Sequence, residues 1–216
     1  NGASPSTVSG NNISGISSNS ATNLTGIYLG PTVQPGLLTC SANSISNITS
    51  NGTTTVIGIN CESFSNTRTI NGNTIFGFSV AGGGSGKAKA ISILQGSTVN
   101  ISRNKVYDHY APQVTGIDIQ PGFLGSVSIH NNTIANTLEI NGFTDNALRG
   151  INIESVEPSA VFDIFYNSIY LDNTGSLFGG GSSCIFLIGN RPGPVSLRNN
   201  ILVNVSGPAG GGFVVA

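Results

Sequence analysis

The sequence predicts an all-β solenoid, in which three parallel sheets run the length of a coiled chain of 216 residues. The first observation is an asparagine that recurs in the frame apolar-x-x-Asn-x-apolar at intervals of 28 to 35 residues. A period of this size, held along the whole chain, is typical of repeat proteins. The second observation is that each repeat holds three apolar segments, each too short to be stable alone. The recurring asparagines are Asn11, Asn43, Asn73, Asn104, Asn132, Asn167 and Asn200.

The three segments of a repeat differ in their pattern. The segment before the asparagine alternates apolar and polar residues, as in Val99-Asn100-Ile101, and a period of two predicts a strand with one buried face. The segment after the asparagine is a shorter strand, as in Ile75-Phe76. The third begins 12 to 18 residues after the asparagine with a small residue, as in Gly116-Ile117-Asp118-Ile119. Stacking equivalent strands of about seven coils buries a continuous core.

Two turn positions follow from the same frame. We expect each recurring asparagine to turn the chain in a left-handed backbone conformation, which Asn tolerates best among residues with a side chain. Their stacked amides form an asparagine ladder from coil to coil. A second turn is predicted two residues after the next apolar position, where Gly, Asn and Asp suit a positive φ. That position holds Gly15, Asn47, Gly77, Asp108, Asn136 and Asn204.

These features together resemble the right-handed parallel β-helix of the pectin-lyase-like superfamily, which also carries an asparagine ladder. The resemblance covers nearly the whole chain and implies a single β-helix domain over residues 1–216. It implies that the Gly-Ile-x-Ile strands form the first sheet, the Val-x-Ile strands the second and the strands after the asparagine the third. The sequence shows neither a capping helix nor a polar terminal repeat, so we expect a fragment of a longer protein.

The amino-acid composition argues against two classes of binding partner, nucleic acids and membranes. Charged residues make up 8% of the chain, the net charge is −1, and lysines and arginines do not cluster. We therefore expect no nucleic-acid partner, because such binding depends on neutralising phosphates. We also expect no membrane insertion, because no apolar run approaches the ~18 residues that a span needs.

Polar residues on the predicted outer face of the first sheet are the candidate ligand groove. Asp118 and Glu154 lie diagonally on adjacent coils, with backbones about 8 Å apart. Carboxylates about 6.5–9.5 Å apart suit inverting glycoside hydrolysis, which makes the pair weak catalytic candidates. The favoured alternative is an ordinary polar sheet face, because a fold does not by itself imply an activity. The groove candidates are Tyr28, Asn60, Asp118, Gln120, Asn152, Glu154, Lys89 and Arg149, with Asp108 and His109 at the border.

The resemblance does not extend to catalytic signatures. The polygalacturonase branch carries Asn-Thr-Asp, Asp-Asp, His-Gly and Arg-Ile-Lys motifs, and this sequence contains none of them. The calcium-dependent lyases carry an Arg-x-Pro-x-x-Arg-type stretch, which Arg191-Pro192 does not match. No cofactor and no metal are expected, and Ca²⁺ is the one candidate that stays open.

The cysteines and histidines indicate neither a catalytic nor a metal-binding site. Cys40 and Cys61 occupy inward positions of one coil, and Cys184 takes the small position of another. We interpret them as buried thiols, and a Cys40–Cys61 disulfide stays open for an exported protein. No Cys/His spacing indicates zinc. His109 and His130 are both predicted to be surface residues.

The function predicted from these features is that of a structural or adhesive segment of an exported bacterial surface protein, located outside the cell. Its predicted partners are extracellular polysaccharide or neighbouring coils and domains of the same protein. The reasons are the low charge, the Asn/Ser/Thr/Gly bias and the missing catalytic motifs. The alternative is a polysaccharide lyase or glycoside hydrolase that acts in a groove on the first sheet.

Overall fold

The computed structural model describes residues 5–20, 22–30, 36–52, 54–62, 67–81, 85–121, 125–139, 148–154, 158–172, 181–188, 193–206 and 214–215. For residues 136–139 and 214–215 it describes the backbone only. All regular structure in these ranges is β-strand. The strands in chain order are β1 (Ser6–Ser9), β2 (Asn12–Ser14), β3 (Ser17–Ser18), β4 (Leu24–Leu29), β5 (Leu37–Ser41), β6 (Ser44–Ser46), β7 (Thr49–Ser50), β8 (Thr55–Cys61), β9 (Thr67–Asn71), β10 (Thr74–Phe76), β11 (Ser79–Val80), β12 (Lys87–Ile93), β13 (Thr98–Ser102), β14 (Lys105–Ala111), β15 (Gln113–Ile119), β16 (Ser126–His130), β17 (Thr133–Glu139), β18 (Leu148–Ile153), β19 (Val161–Phe165), β20 (Ser168–Leu171), β21 (Ser182–Leu187), β22 (Val195–Arg198), β23 (Ile201–Asn204) and β24 (Val214–Val215).

Three parallel sheets form a β-solenoid, as the sequence predicts. The first sheet has the order β4-β8-β12-β15-β18-β21-β24 and the second the order β1-β5-β9-β13-β16-β19-β22. The third holds β2, β6, β10, β14, β17, β20 and β23, together with the short strands β3, β7 and β11. The prediction of about seven coils is slightly high, because the seven strands of a sheet enclose only six coil-to-coil steps.

The core lies inside the coil and is built from stacked aliphatic side chains. In the third sheet Ile45, Ile75 and Ile134 pair in register with their equivalents on adjacent coils and are fully buried. The first and second sheets contribute similar stacks, including Ile117 and Ile129. Branched aliphatic residues suit this pleated, buried surface, so the strands and the core have one cause.

Apart from β24, the first-sheet strands begin two or three residues before the small residue that was predicted to open them, and this small residue inside the strand allows the coils to approach closely. A Cβ on Gly116 would lie 2.6 Å from the carbonyl oxygen of Gly150 and 2.9 Å from Ile134 Cδ1. A Cβ on Gly150 would lie 2.5 Å from the Cys184 carbonyl oxygen. Contacts this short force the backbone to move, which explains the bias toward small residues there.

The asparagine ladder is confirmed, and each interior rung uses the full hydrogen-bonding capacity of its amide. Asn104 Oδ1 accepts from the backbone nitrogen of Asn73 at 3.0 Å and from its Nδ2 at 2.9 Å. Asn104 Nδ2 donates to the carbonyl oxygen of Ile70 at 2.9 Å and to Asn132 Oδ1 at 3.0 Å. Because the interior amides are buried, these bonds prevent the cost of unpaired polar groups.

The left-handed turn lies one residue earlier than predicted. The residue before every ladder asparagine has a positive φ, whereas none of the ladder asparagines does. The asparagine is therefore selected for its amide, and the preceding residue carries the backbone strain. The left-handed residues are Gly10, Ala42, Gly72, Arg103, Asn131, Tyr166 and Asn199.

The second predicted turn is confirmed in the first four coils only. Gly15, Asn47, Gly77 and Asp108 have a positive φ. Asn136, in contrast, continues strand β17, and Asn204 is the last residue of β23. The longer third-sheet strands of the later coils replace the sharp turn there.

His109 is buried, so the prediction that it lies on the surface and borders the groove is wrong. The left-handed residue Asp108 shifts the alternation of strand β14 by one, and His109 consequently faces the core. Its ring packs on Phe78 with centroids 4.5 Å apart, and its Nδ1 accepts from the Phe78 backbone nitrogen at 3.4 Å. Desolvation lowers the pKa of His109 to about 3.

No helix in the described ranges is long and apolar enough to cross a membrane.

Candidate functional site

The outer face of the first sheet brings the predicted groove residues into one row. Strand register aligns Tyr28 with Asn60, Asn60 with Ser92, Ser92 with Asp118 and Asp118 with Asn152. Although these positions point away from the core, Asn60, Asp118 and Asn152 are buried, because longer side chains from neighbouring positions cover them. The predicted open polar face is therefore a closed network over much of its length.

Asp118 is the centre of this network. Its Oδ2 forms an ion pair with Lys89 Nζ at 2.5 Å, and its Oδ1 accepts from Asn152 Nδ2 at 2.6 Å. Lys89, Asp118 and Asn152 stand on three successive first-sheet strands, β12, β15 and β18. The carboxylate is only 2% exposed and has a charged partner, as a buried ionised group requires.

Arg149 organises the adjoining part of the face. Its Nη1 donates to Asn152 Oδ1 at 2.7 Å and to Glu154 Oε1 at 2.9 Å. Its guanidinium also lies 3.9 Å above the ring of Phe186, which is a cation–π distance. Both predicted basic groove residues, Lys89 and Arg149, thus have their charge neutralised within the sheet.

Tyr28 and Glu62 form the more open end of the row. Tyr28 Oη donates to Glu62 Oε2 at 2.8 Å, and Asn60 Nδ2 donates to Glu62 Oε1 at 3.0 Å. The hydrogen bond to Glu62, with some desolvation and the carboxylate charge, raises the pKa of Tyr28. The Tyr28 side chain is 54% exposed, and the Asn60 Oδ1 atom has no hydrogen-bond partner among the described residues.

The carboxylates of Asp118 and Glu154 lie closer together than the backbone spacing suggests. Asn152 Nδ2 donates to Asp118 Oδ1 at 2.6 Å and to Glu154 Oε1 at 3.0 Å. The two oxygens therefore lie within about 5.6 Å of each other, which is below the roughly 6.5–9.5 Å that leaves room for water in inverting hydrolysis. The amide between them fills the place that such a water would need.

Ser92 and Glu62 contribute to this face, although neither is among the groove candidates predicted from the sequence. Gln120, which was predicted, donates from Nε2 to Ser92 Oγ at 2.5 Å, and Ser92 itself is fully buried. Glu62 accepts hydrogen bonds from both Tyr28 and Asn60. Register predicts which residues align, but the reach of Gln, Glu and Arg side chains decides which ones meet.

Besides His109, the interior holds the buried side chain of Arg68, which the sequence did not indicate. Arg68 occupies the inward position aligned with Val99 and is 1% exposed. Burial lowers the pKa of Arg68, and a hydrogen bond with the neighbouring Cys61 opposes that shift.

Cys40, Cys61 and Cys184 are buried thiols, which confirms the preferred interpretation over the disulfide. Burial raises the pKa of Cys40 to about 12 and that of Cys184 to about 11, so neither is an activated nucleophile.

Within the described ranges, no three His, Cys, Asp or Glu side chains gather in a way that would hold a metal ion. Asp118 and Glu154 instead share one amide and are paired with Lys89 and Arg149 respectively. The face as it stands orders side chains across coils and presents the Tyr28 ring at one end.

Comparison with known proteins leaves the fold as the firm result. No protein-family model, no curated protein and no solved structure matches this chain.

Proposed function

We propose that this chain is a structural and adhesive β-helix segment of an exported bacterial surface protein. The observation that carries the proposal is the closed first-sheet network around Asp118. Lys89 and Asn152 bind Asp118 from the two adjacent coils, and Arg149 binds Glu154 within its own coil, so these acids and bases are engaged with each other and are not poised for acid–base chemistry. The resemblance to the pectin-lyase-like superfamily and the extracellular location belong to the same proposal.

The open end of the row supports a glycan-binding role. The exposed ring of Tyr28 is a flat apolar surface of the kind on which sugar rings stack. Beside it, the carboxylate of Glu62 is a hydrogen-bond acceptor that suits sugar hydroxyl groups. Because the Glu62 carboxylate is bonded to Tyr28 and Asn60 and to no basic side chain in the described part of the chain, this end favours neutral sugars over uronates.

The last described coil supports a partner in neighbouring coils or domains of the same protein. Leu197 aligns with the fully buried Ile164, yet it is largely exposed, as is Ile201 of the third sheet. Exposed apolar side chains of this size suit contact with another apolar surface, which is the kind of partner proposed here.

A polysaccharide lyase or glycoside hydrolase is the second candidate. The observation in its favour is that the Asp118 and Glu154 oxygens lie within about 5.6 Å, near the roughly 5–5.5 Å of retaining glycosidases. Against it, both carboxylates are engaged by Asn152 and by a cation, and a general acid needs a proton at the reacting centre.

Binding to a panel of neutral and acidic oligosaccharides, measured by calorimetry, tests the adhesive role. We expect a neutral oligosaccharide to bind and Tyr28→Ala to remove that binding. Tyr110→Ala is the matched control, because Tyr110 is similarly exposed but lies on the third sheet. Equal loss in both variants, or binding that Tyr28→Ala leaves unchanged, would overturn the assignment of the site.

A further inference from the structure

Tyr166 combines a strained backbone with an exposed ring. It is one of the seven left-handed residues before the ladder asparagines, with a φ of 56°. Four of those seven are Gly or Asn, which tolerate this conformation, and Tyr166 is the one aromatic residue among them. Its side chain is 56% exposed, so burial does not compensate for the strain. A bulky residue kept at such a position indicates a role for the side chain on the surface.

Neighbouring coils extend the ring of Tyr166 into an aromatic platform, formed by His130, Phe165, Tyr166 and Arg198. His130 stacks on Phe165 with centroids 4.8 Å apart and planes 5° apart. The Arg198 guanidinium lies 5.3 Å from the Phe165 centroid. The Tyr166 ring meets Phe165 edge-on at 5.7 Å. The platform follows the outer edge of the second sheet, on strands β16, β19 and β22.

Exposed basic side chains border the platform. Arg198 is 3.6 Å from Asp163, and both side chains are largely exposed, so this ion pair is weak. Arg103 occupies the left-handed position two coils before Tyr166, and Lys105 follows two residues later; both are exposed. The chain has only eight lysines and arginines, and three of them lie at or beside the turns between the second and third sheets.

We propose that the aromatic platform binds a carboxylate-bearing sugar. The pyranose ring packs on the exposed ring of Tyr166, which the stacked His130, Phe165 and Arg198 side chains support from beside it. The sugar carboxylate accepts hydrogen bonds from Arg198, whose planar guanidinium suits a carboxylate. Arg103 and Lys105 attract further acidic residues of the same glycan. This site lies on another face from Tyr28 and Glu62. It deepens the proposed adhesive function and rests on it only in taking a glycan as the ligand.

Tyr166→Gly gives an unusually clean test, because glycine relieves the strain at this φ and the variant should fold at least as well. Calorimetric titration with sialyllactose, a carboxylated trisaccharide, should show binding to the full chain, and lactose should bind at least tenfold more weakly. We expect Tyr166→Gly to weaken sialyllactose binding about tenfold or more while its melting temperature stays equal or rises. Arg198→Gln should reduce the preference over lactose, and high salt should do the same.

Other outcomes are equally decisive. Sialyllactose binding that survives Tyr166→Gly, or equal binding of lactose and sialyllactose, would overturn the site. Tyr110→Ala, which removes an exposed tyrosine of the third sheet outside both sites, should leave sialyllactose binding unchanged, and a loss equal to that of Tyr166→Gly would overturn this inference. Failure of the platform would leave the neutral-glycan test at Tyr28 untouched, so the two proposals fail separately.

Discussion

Lys89 Nζ and Asp118 Oδ2 are 2.5 Å apart and join two successive coils across the outer face of the first sheet. On the following coil, Asn152 Nδ2 donates a hydrogen bond to Asp118 Oδ1 at 2.6 Å. One carboxylate thus ties three coils together at a position where the sequence predicts an exposed binding groove. The ladder inside the turn and this network outside the sheet act in the same direction, along the axis of the stack.

Removal of either partner of the Lys89–Asp118 pair should destabilise the fold. We expect Asp118→Ala to cost about 3 kcal/mol, since it leaves Lys89 and Asn152 without their buried acceptor. The double-mutant cycle with Lys89→Met should give a coupling energy of about 1–3 kcal/mol, measured by chemical unfolding. Lys87→Met is the matched control, and additive effects of Lys89→Met and Asp118→Ala would contradict the structural role.

The ladder predicts a strong dependence on rung position. Asn104→Ala removes four hydrogen bonds of a buried amide, and we expect a loss of about 3–4 kcal/mol in unfolding free energy. Asn11→Ala, at the exposed end of the ladder, should cost less than about 1 kcal/mol. Equal costs in the two variants would show that the amides do not stabilise the coils cooperatively.

The shifted turn position can be tested with two adjacent residues. Ala42 has a φ of 53°, so Ala42→Gly should leave stability unchanged or raise it by up to about 1 kcal/mol. Asn43→Gly, one residue later, should lose about 3 kcal/mol, because it deletes a ladder amide. Thermal unfolding distinguishes the two. If Asn43→Gly were the tolerated change, the asparagine would serve the turn and not the ladder.

The fold was predictable because one frame encodes both the strands and the ladder. The turn was misplaced by one residue because Ala42, Arg103 and Tyr166 obscure the Gly and Asn preference at the left-handed position. The core position of His109 had a signal that was missed, since Ile48 and Phe78 occupy the equivalent inward positions. The closed network could not be predicted, because it depends on how far two side chains reach: Lys89 extends to the next coil and Arg149 extends along its own strand.

His109 should make the protein sensitive to acid. Its pKa is lowered from 6.5 to about 3 in the folded state, so the unfolded chain binds more protons between these values. Stability therefore falls as the pH drops from about 6.5 to about 3, and at pH 4 the loss should be about 3 kcal/mol. Urea unfolding of the wild type and of His109→Leu at pH 7 and pH 4 measures this difference. His130→Leu is the control, and an equal pH dependence in wild type and His109→Leu would contradict the buried neutral imidazole.

The central proposal is that Asp118 holds adjacent coils together and that the chain serves a structural and adhesive role. The most direct measurement is the release of new reducing ends and of unsaturated products from neutral and acidic polysaccharides incubated with the purified chain. We expect no product above the buffer control, while the same preparation binds a neutral oligosaccharide through Tyr28. Product formation by the wild type that is abolished in a folded Asp118→Asn variant would contradict the claim and establish the enzyme in its place.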